Sequence, residues 1–143
     1  MNTIPEIEEQ ITQEFSKFDE WLDRYNYLIE LGRACPMISE SEKKETNLIK
    51  GCQSRVWLGT EFIDGRVVFR ADSDAVITKG IASLLIRVLS NQTPDDIMNA
   101  DLAFVDTIGL RAHLSPTRSN GLTSMIKQMK LYAMAYKLKM QNG

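Results

Sequence analysis

A chain of 143 residues, 43% hydrophobic and 25% charged, has the size and composition of one globular domain, which sets aside disordered, collagen-like and fibrous classes. Its 17 basic and 19 acidic residues leave a formal charge of −2, which argues against nucleic acid as a partner, because phosphate binding needs a basic excess. No apolar segment follows a basic start, and the most apolar window, "GIASLLIRVL" at 80–89, is too short to span a membrane and carries Arg87. The expected setting is therefore cytoplasmic, without a membrane partner.

Ile7, Ile11, Phe15 and Phe18 recur at three- and four-residue steps and predict an amphipathic helix from about Pro5. A second helix is expected around 19–31, on the stripe Trp21, Leu22, Tyr25, Leu28 and Ile29, with Gly32 as its C-terminal cap. The densest charge run, "SESEKKE" at 39–45, reads as a solvated loop. The period then changes to two. Val56, Leu58, Thr60 and Phe62 fall on one face of a strand, and Trp57, Gly59, Glu61 and Ile63 on the other. Asp64-Gly65 is a hairpin-turn signal, "RVVFRA" is the returning strand, and "NLIK" at 47–50 offers a short third strand.

Helical spacing resumes after Ser73 with Val76, Ile77, Ile81, Leu84, Leu85 and Val88, and Ser73 or Asp74 is the expected N-cap. Thr93-Pro94 opens a short helix. The last helix is expected from about Ser119, on a stripe through Leu122, Met125, Ile126, Met129, Tyr132, Ala133 and Tyr136. No repeat or linker interrupts the chain, so 1–143 reads as a single α+β domain. Its helices pack on a small three-stranded antiparallel sheet.

The chain has two cysteines, Cys35 and Cys52, and one histidine, His113, without a closely spaced cysteine pair, so neither zinc nor a disulfide is expected. Cys52 stands in "LIKGCQSRVW" and has two readings. Cysteine commonly packs as a small hydrophobe. Against that, Gly51 removes bulk beside the sulfur, Gln53 and Ser54 are polar, and Lys50 and Arg55 would favour a thiolate. An unperturbed thiol with a pKa of ~8.5 is only about 3% ionised at pH 7, so modest electrostatic help would matter.

Cys35, in "GRACPM", has no activating neighbour and reads as structural. His113 is either a base for Cys52 or a surface or capping histidine. Asp72 and Asp74 are a carboxylate pair or, better, caps of the following helix. "SPTRSNG" at 115–121 sets Arg118 among small polar residues, as a binding loop or as an ordinary helix-initiating loop. Met125 and Met129 lie at core spacing and need no cofactor.

Taken together, "GCQSRVW" at 51–57, "DSDAVITKGI" at 72–81 and "LSPTRSNGL" at 114–122 resemble the SufE family of sulfur acceptors in iron–sulfur cluster assembly, which includes the CsdE branch. The resemblance implies a fold related to the NifU/IscU scaffolds. It makes Cys52 the acceptor of a persulfide sulfur and places Arg118 near the acceptor and the partner surface. Gly51, Gln53 and Ser54 become loop residues beside the thiol. It also implies a PLP-dependent cysteine desulfurase of the SufS or CsdA kind as donor, with PLP belonging to that partner, and a SufBCD-like scaffold downstream. The chain itself would need no cofactor and would stimulate the desulfurase without being an enzyme on its own; a weak homodimer is compatible with it. Cys35 inherits no role. A cluster scaffold would need several cysteine-type ligands, which this chain lacks. The competing readings are a stand-alone thiol peroxidase or acyl transferase using Cys52 and His113, and a partner-binding domain whose cysteine is incidental.

Overall fold

The computed structural model describes residues 3–52 and 54–142. Helix α1 (Ile4–Phe15) starts at a reciprocal capping box, with the Thr3 hydroxyl accepting from the Glu6 N–H and the Glu6 carboxylate accepting from the Thr3 N–H. It buries Ile4, Ile11 and Phe15. Helix α2 (Trp21–Arg33) follows, with Leu28 fully buried. Strands β1 (Val56–Ile63) and β2 (Arg66–Ser73) pair antiparallel from Val56 opposite Ser73 to Ile63 opposite Arg66. Asp64 (φ 52°) and Gly65 (φ 79°) supply the left-handed turn that the sequence signalled.

Helix α3 (Val76–Leu89) is the centre of the packing. It buries Ile77, Ile81, Leu84, Leu85, Val88 and Leu89 and contacts α2 and β2. Helices α4 (Pro94–Asn99), α5 (Phe104–Thr107) and α6 (Leu110–His113) lead to the long α7 (Pro116–Asn142), which lies against α3 and α4. One apolar core runs from Ile11 and Phe15 through Val56, Val67 and Phe69 to Leu122, Met125, Met129 and Ala133. The α+β reading and the two faces of β1 therefore stand: Val56 and Leu58 are buried, while Glu61 and Ile63 are exposed.

Four expectations need correcting. The third strand does not form. Leu48 makes an isolated bridge to Trp57, next to the Ile49 N–H donating to the Val56 carbonyl, and a 3₁₀ turn at Glu45–Asn47 occupies the rest. The sheet has two strands, and the free edge of β2 is covered instead by the Pro36 and Gln92 carbonyls and the Ser90 hydroxyl. Gly32 is not a cap: α2 runs through it to Arg33, and it is buried against Gly80. Ala75 is the N-cap of α3, because Asp74 turns back to accept from the Arg55 N–H at 3.0 Å and Ser73 accepts from the Ala75 N–H. Finally, α7 begins at Pro116, so Arg118 and Ser119 are helical rather than in a loop; the Ser115 hydroxyl accepts from the Arg118 N–H at 3.3 Å.

Helices α2 and α3 meet with their backbones in close approach. A Cβ on Gly80 would lie 2.2 Å from the Leu28 carbonyl oxygen, and one on Gly32 would lie 2.8 Å from the Gly80 nitrogen. Alanine ordinarily stabilises a helix interior by roughly 1 kcal/mol over glycine. Here the obstacle is backbone, which cannot rotate away, so the sign reverses. Gly80→Ala is expected to lose about 2 kcal/mol or more in urea unfolding. An unchanged or raised midpoint would show that the two helices can separate without cost.

Candidate functional site

The chain from Lys50 to Arg55 is a loop pinned at both ends. The Leu48–Trp57 bridge and the Ile49–Val56 hydrogen bond close it on one side, and the Asp74 carboxylate holds the Arg55 N–H on the other. Gly51 has φ +91°, a conformation that L side chains rarely adopt, and it turns Cys52 inward. The Cys52 side chain is half-buried, and its thiol donates to the backbone carbonyl of Gly121 at 3.7 Å. Gly121 lies inside α7, where a Cβ would sit 3.5 Å from the Cys52 sulfur. Its lack of a side chain, together with Thr78 and Ile81 from α3 and Thr117, Arg118 and Met125 from α7, leaves a cavity of about 10 Å³ beside the thiol. That is room for about one further heavy atom. Ser54 also lines it, whereas Gln53 lies outside the described residues.

The electrostatics differ from the sequence reading. Burial pushes the Cys52 thiol up. Lys50 and Arg55 are exposed, so their charges sit in water rather than against the sulfur. Arg118 does reach the cavity. Its side chain is partly buried, and its Nη1 is enclosed with no hydrogen-bond partner; Glu8 Oε1 is the other such atom among the described residues. A buried N–H without an acceptor is costly, and in the first turn of α7 it is a donor prepared for an anion.

Cys35 behaves as the sequence suggested. It is 5% exposed, and burial pushes its thiol up to about 11, with Lys79 opposing and Asp72 reinforcing that rise. His113 is exposed at the end of α6 and stacks on Trp21 at 4.7 Å between ring centres; it neither lines the cavity nor bonds to Cys52. Asp72 and Asp74 are not a working pair. Asp72 is 6% exposed and ion-paired to Lys43 at 2.7 Å and Lys79 at 3.3 Å. Its burial alone would raise its pKa, but Lys43, the Ser73 N–H and Lys79 together hold the carboxyl below its usual range. Among the described residues no group of three or more His, Cys, Asp or Glu side chains could hold a metal. Among them, too, no helix is long and apolar enough to cross a membrane.

The three motif blocks thus converge on one sulfur: the first supplies Cys52, the second Thr78 and Ile81, and the third Thr117, Arg118 and Gly121. Sequence reasoning singled out Cys52, Ser54 and Arg118 but passed over Thr78, Thr117 and Gly121, of which only Gly121 carries a local signal, a glycine just before a helical stripe.

A half-buried lone thiol over a one-atom cavity, on an α+β scaffold, is the class of site that fold and geometry define. A family model described as SufE, Fe–S metabolism associated domain, matches residues 9–133. A SufE-like protein of Rhizobium meliloti is 39% identical over 127 residues, covering 85% of this chain and 91% of that one. The chain belongs to the SufE family and so has a role in iron–sulfur metabolism. The fold also resembles that of a hypothetical protein of Thermus thermophilus known from a solution structure. The TM-score is 0.74 at 20% identity, over 90% of this chain and 94% of that one.

Gly51 and Gly65 separate two costs of the left-handed backbone. A Cβ at Gly65 meets nothing within 4 Å, whereas one at Gly51 would lie 2.5 Å from the Ser124 hydroxyl oxygen. Gly65→Ala is expected to cost about 1 kcal/mol, and Gly51→Ala about twice that. The Gly51→Ala, Ser124→Ala double variant should recover the difference in thermal unfolding. Equal costs for the two glycines would mean that the Cys52 loop does not rest on α7.

Proposed function

We propose that the protein is a sulfur carrier that accepts sulfane sulfur on Cys52 from a cysteine desulfurase of the SufS or CsdA kind and passes it to a SufBCD-like iron–sulfur assembly scaffold. The observation that carries this reading is the one-atom cavity against the Cys52 thiol, with the unpartnered Arg118 Nη1 on its wall. A cysteine that packed only as a hydrophobe would need neither.

The exchange balances without a metal or a redox reagent. The Cys52 thiolate attacks the terminal sulfur of the desulfurase persulfide. A new S–S bond forms at Cys52, the old one breaks, and the electron pair leaves on the desulfurase cysteine as thiolate. The PLP that generates the donor persulfide belongs to the partner, so this chain stimulates turnover by removing sulfur and is not an enzyme on its own. Reduced thiols, as in the cytoplasm, keep Cys52 competent.

The product explains the cavity wall. A persulfide is more acidic than the thiol it replaces, so loading turns a neutral buried group into an anion. Arg118 Nη1, without an acceptor beside the thiol, gains one beside the persulfide. Gly51 and Ser54 shape the loop around it. The stand-alone cysteine-enzyme reading finds no base at the sulfur, since His113 is stacked on Trp21.

The test is intact mass after incubation with a desulfurase, PLP and cysteine. The parent and Cys35→Ser should gain sulfur, and Cys52→Ser should not, because oxygen cannot take its place. Arg118→Ala should load about tenfold more slowly or retain its sulfur less, as loss of a charge-assisted hydrogen bond implies. Its stability should change by under about 0.5 kcal/mol. Sulfur on Cys35, or loading that survives Cys52→Ser, would overturn the assignment.

A further inference from the structure

Sulfur transfer does not explain the outer face of α7. The inner side of this helix is buried through Leu122, Met125, Met129 and Ala133. A second apolar row runs along the outside, with Leu131, Met134 and Leu138 at steps of three and four residues and 44%, 43% and 51% exposed. Ile126, Leu131 and Met134, joined by Met98 of α4, line an open groove of about 430 Å³ that is almost wholly apolar. A contiguous apolar surface of this kind is more than the scattered exposed leucines that every protein carries.

The charge of α7 itself is equally one-sided. From 116 to 142 the chain has Arg118, Lys127, Lys130, Lys137 and Lys139 and not one Asp or Glu, in a protein whose overall charge is −2. Lys127 and Lys130 rim the groove. Lys130 donates to the Ala100 carbonyl at 2.6 Å, a neutral acceptor that leaves its charge unmatched. Lys137 alone on this helix is ion-paired, with Asp95, among the described residues. A second copy offering the same face would oppose lysine with lysine, so self-pairing is disfavoured. A lipid surface takes an exposed helix face bearing Trp, Phe or Leu, and the outer row here has leucine but no Trp or Phe. The groove is lined by the thioethers of Met98 and Met134, which adapt to inserted side chains.

We propose that the groove between α4 and α7 is a docking site for an amphipathic helix of a partner protein. The partner's apolar stripe enters against Met98, Ile126, Leu131 and Met134, and its flanking carboxylates meet Lys127 and Lys130. This surface is a feature of the scaffold and does not depend on the chemistry of Cys52.

The test uses the full chain and no desulfurase, so it stands apart from the sulfur-carrier reading. A labelled synthetic helical peptide with leucines at three- and four-residue spacing and glutamate flanks is titrated in, and anisotropy and methionine-methyl NMR shifts are followed. The same stripe flanked by lysines, and vesicles of phosphatidylcholine with phosphatidylglycerol, are the comparisons. The glutamate peptide should saturate, shift the Met98 and Met134 methyls, and weaken as salt is raised beyond ~0.1 M. Leu131→Ser with Met134→Ser, both at exposed positions, should lower its affinity about tenfold or more while the melting temperature holds. No binding, equal binding of the lysine peptide, a preference for the vesicles, or self-association through this face in sedimentation would each overturn the proposal.

Discussion

The site depends on one contact, that of the Cys52 thiol with the bare backbone of Gly121 in α7. A glycine inside a helix costs roughly 1 kcal/mol against alanine. Alanine would fit here, since its Cβ would sit at an ordinary 3.5 Å from the sulfur. What it would take away is the space beside that sulfur. The helix therefore carries a local weakness that leaves room for one more atom and offers the resting thiol a carbonyl acceptor. Arg118, one turn earlier, brings the only charge to the cavity wall among the described residues.

The rest of the fold keeps that contact in register. The loop ends are tied to β1 and to Asp74, and the crossover before the loop is fastened by Asp72, which holds Lys43 from the 3₁₀ region and Lys79 from α3. Lys43 also lies over the Trp57 ring, 5.6 Å from its centre, opposite Asp72 in the sheet register. Removing one partner from such a buried cluster leaves an uncompensated charge, so the cluster fixes geometry even where its net stabilisation is small. Behind it, the glycine-to-glycine approach of α2 and α3 sets the position of Thr78 and Ile81. Gly51 gives the loop a turn that other residues resist.

Much of this was legible in the sequence, and the misses have common physical causes. Period-two spacing and Asp64-Gly65 specified the hairpin and its faces, because alternation and a left-handed turn are local properties. The third strand failed because "NLIK" has strand-like composition but its partners are a turn and a loop, and only tertiary pairing decides between them. Gly32 was misread because glycine marks either a cap or a close approach, and the neighbour that distinguishes the two is distant in sequence. Ser115-Pro116 is the same start signal as Thr93-Pro94, and the small polar residues after it obscured the helix. The expected cationic help for Cys52 failed because Lys50 and Arg55 are exposed and their charges are screened by water. Cys52 and Arg118, both singled out in the sequence, line one cavity in the structure.

Burial gives the site its central tension. It shelters the sulfur but holds Cys52 as a thiol, so the account requires the partner to draw the loop outward before exchange. The most direct measurement is the alkylation rate of Cys52 by a small electrophile, in the Cys35→Ser protein, with and without a desulfurase that lacks its own catalytic cysteine. The account predicts a resting rate well below that of a free peptide thiol at the same pH, and acceleration when the desulfurase is added. A resting rate equal to that of the peptide, slowing on addition of the partner, would contradict it.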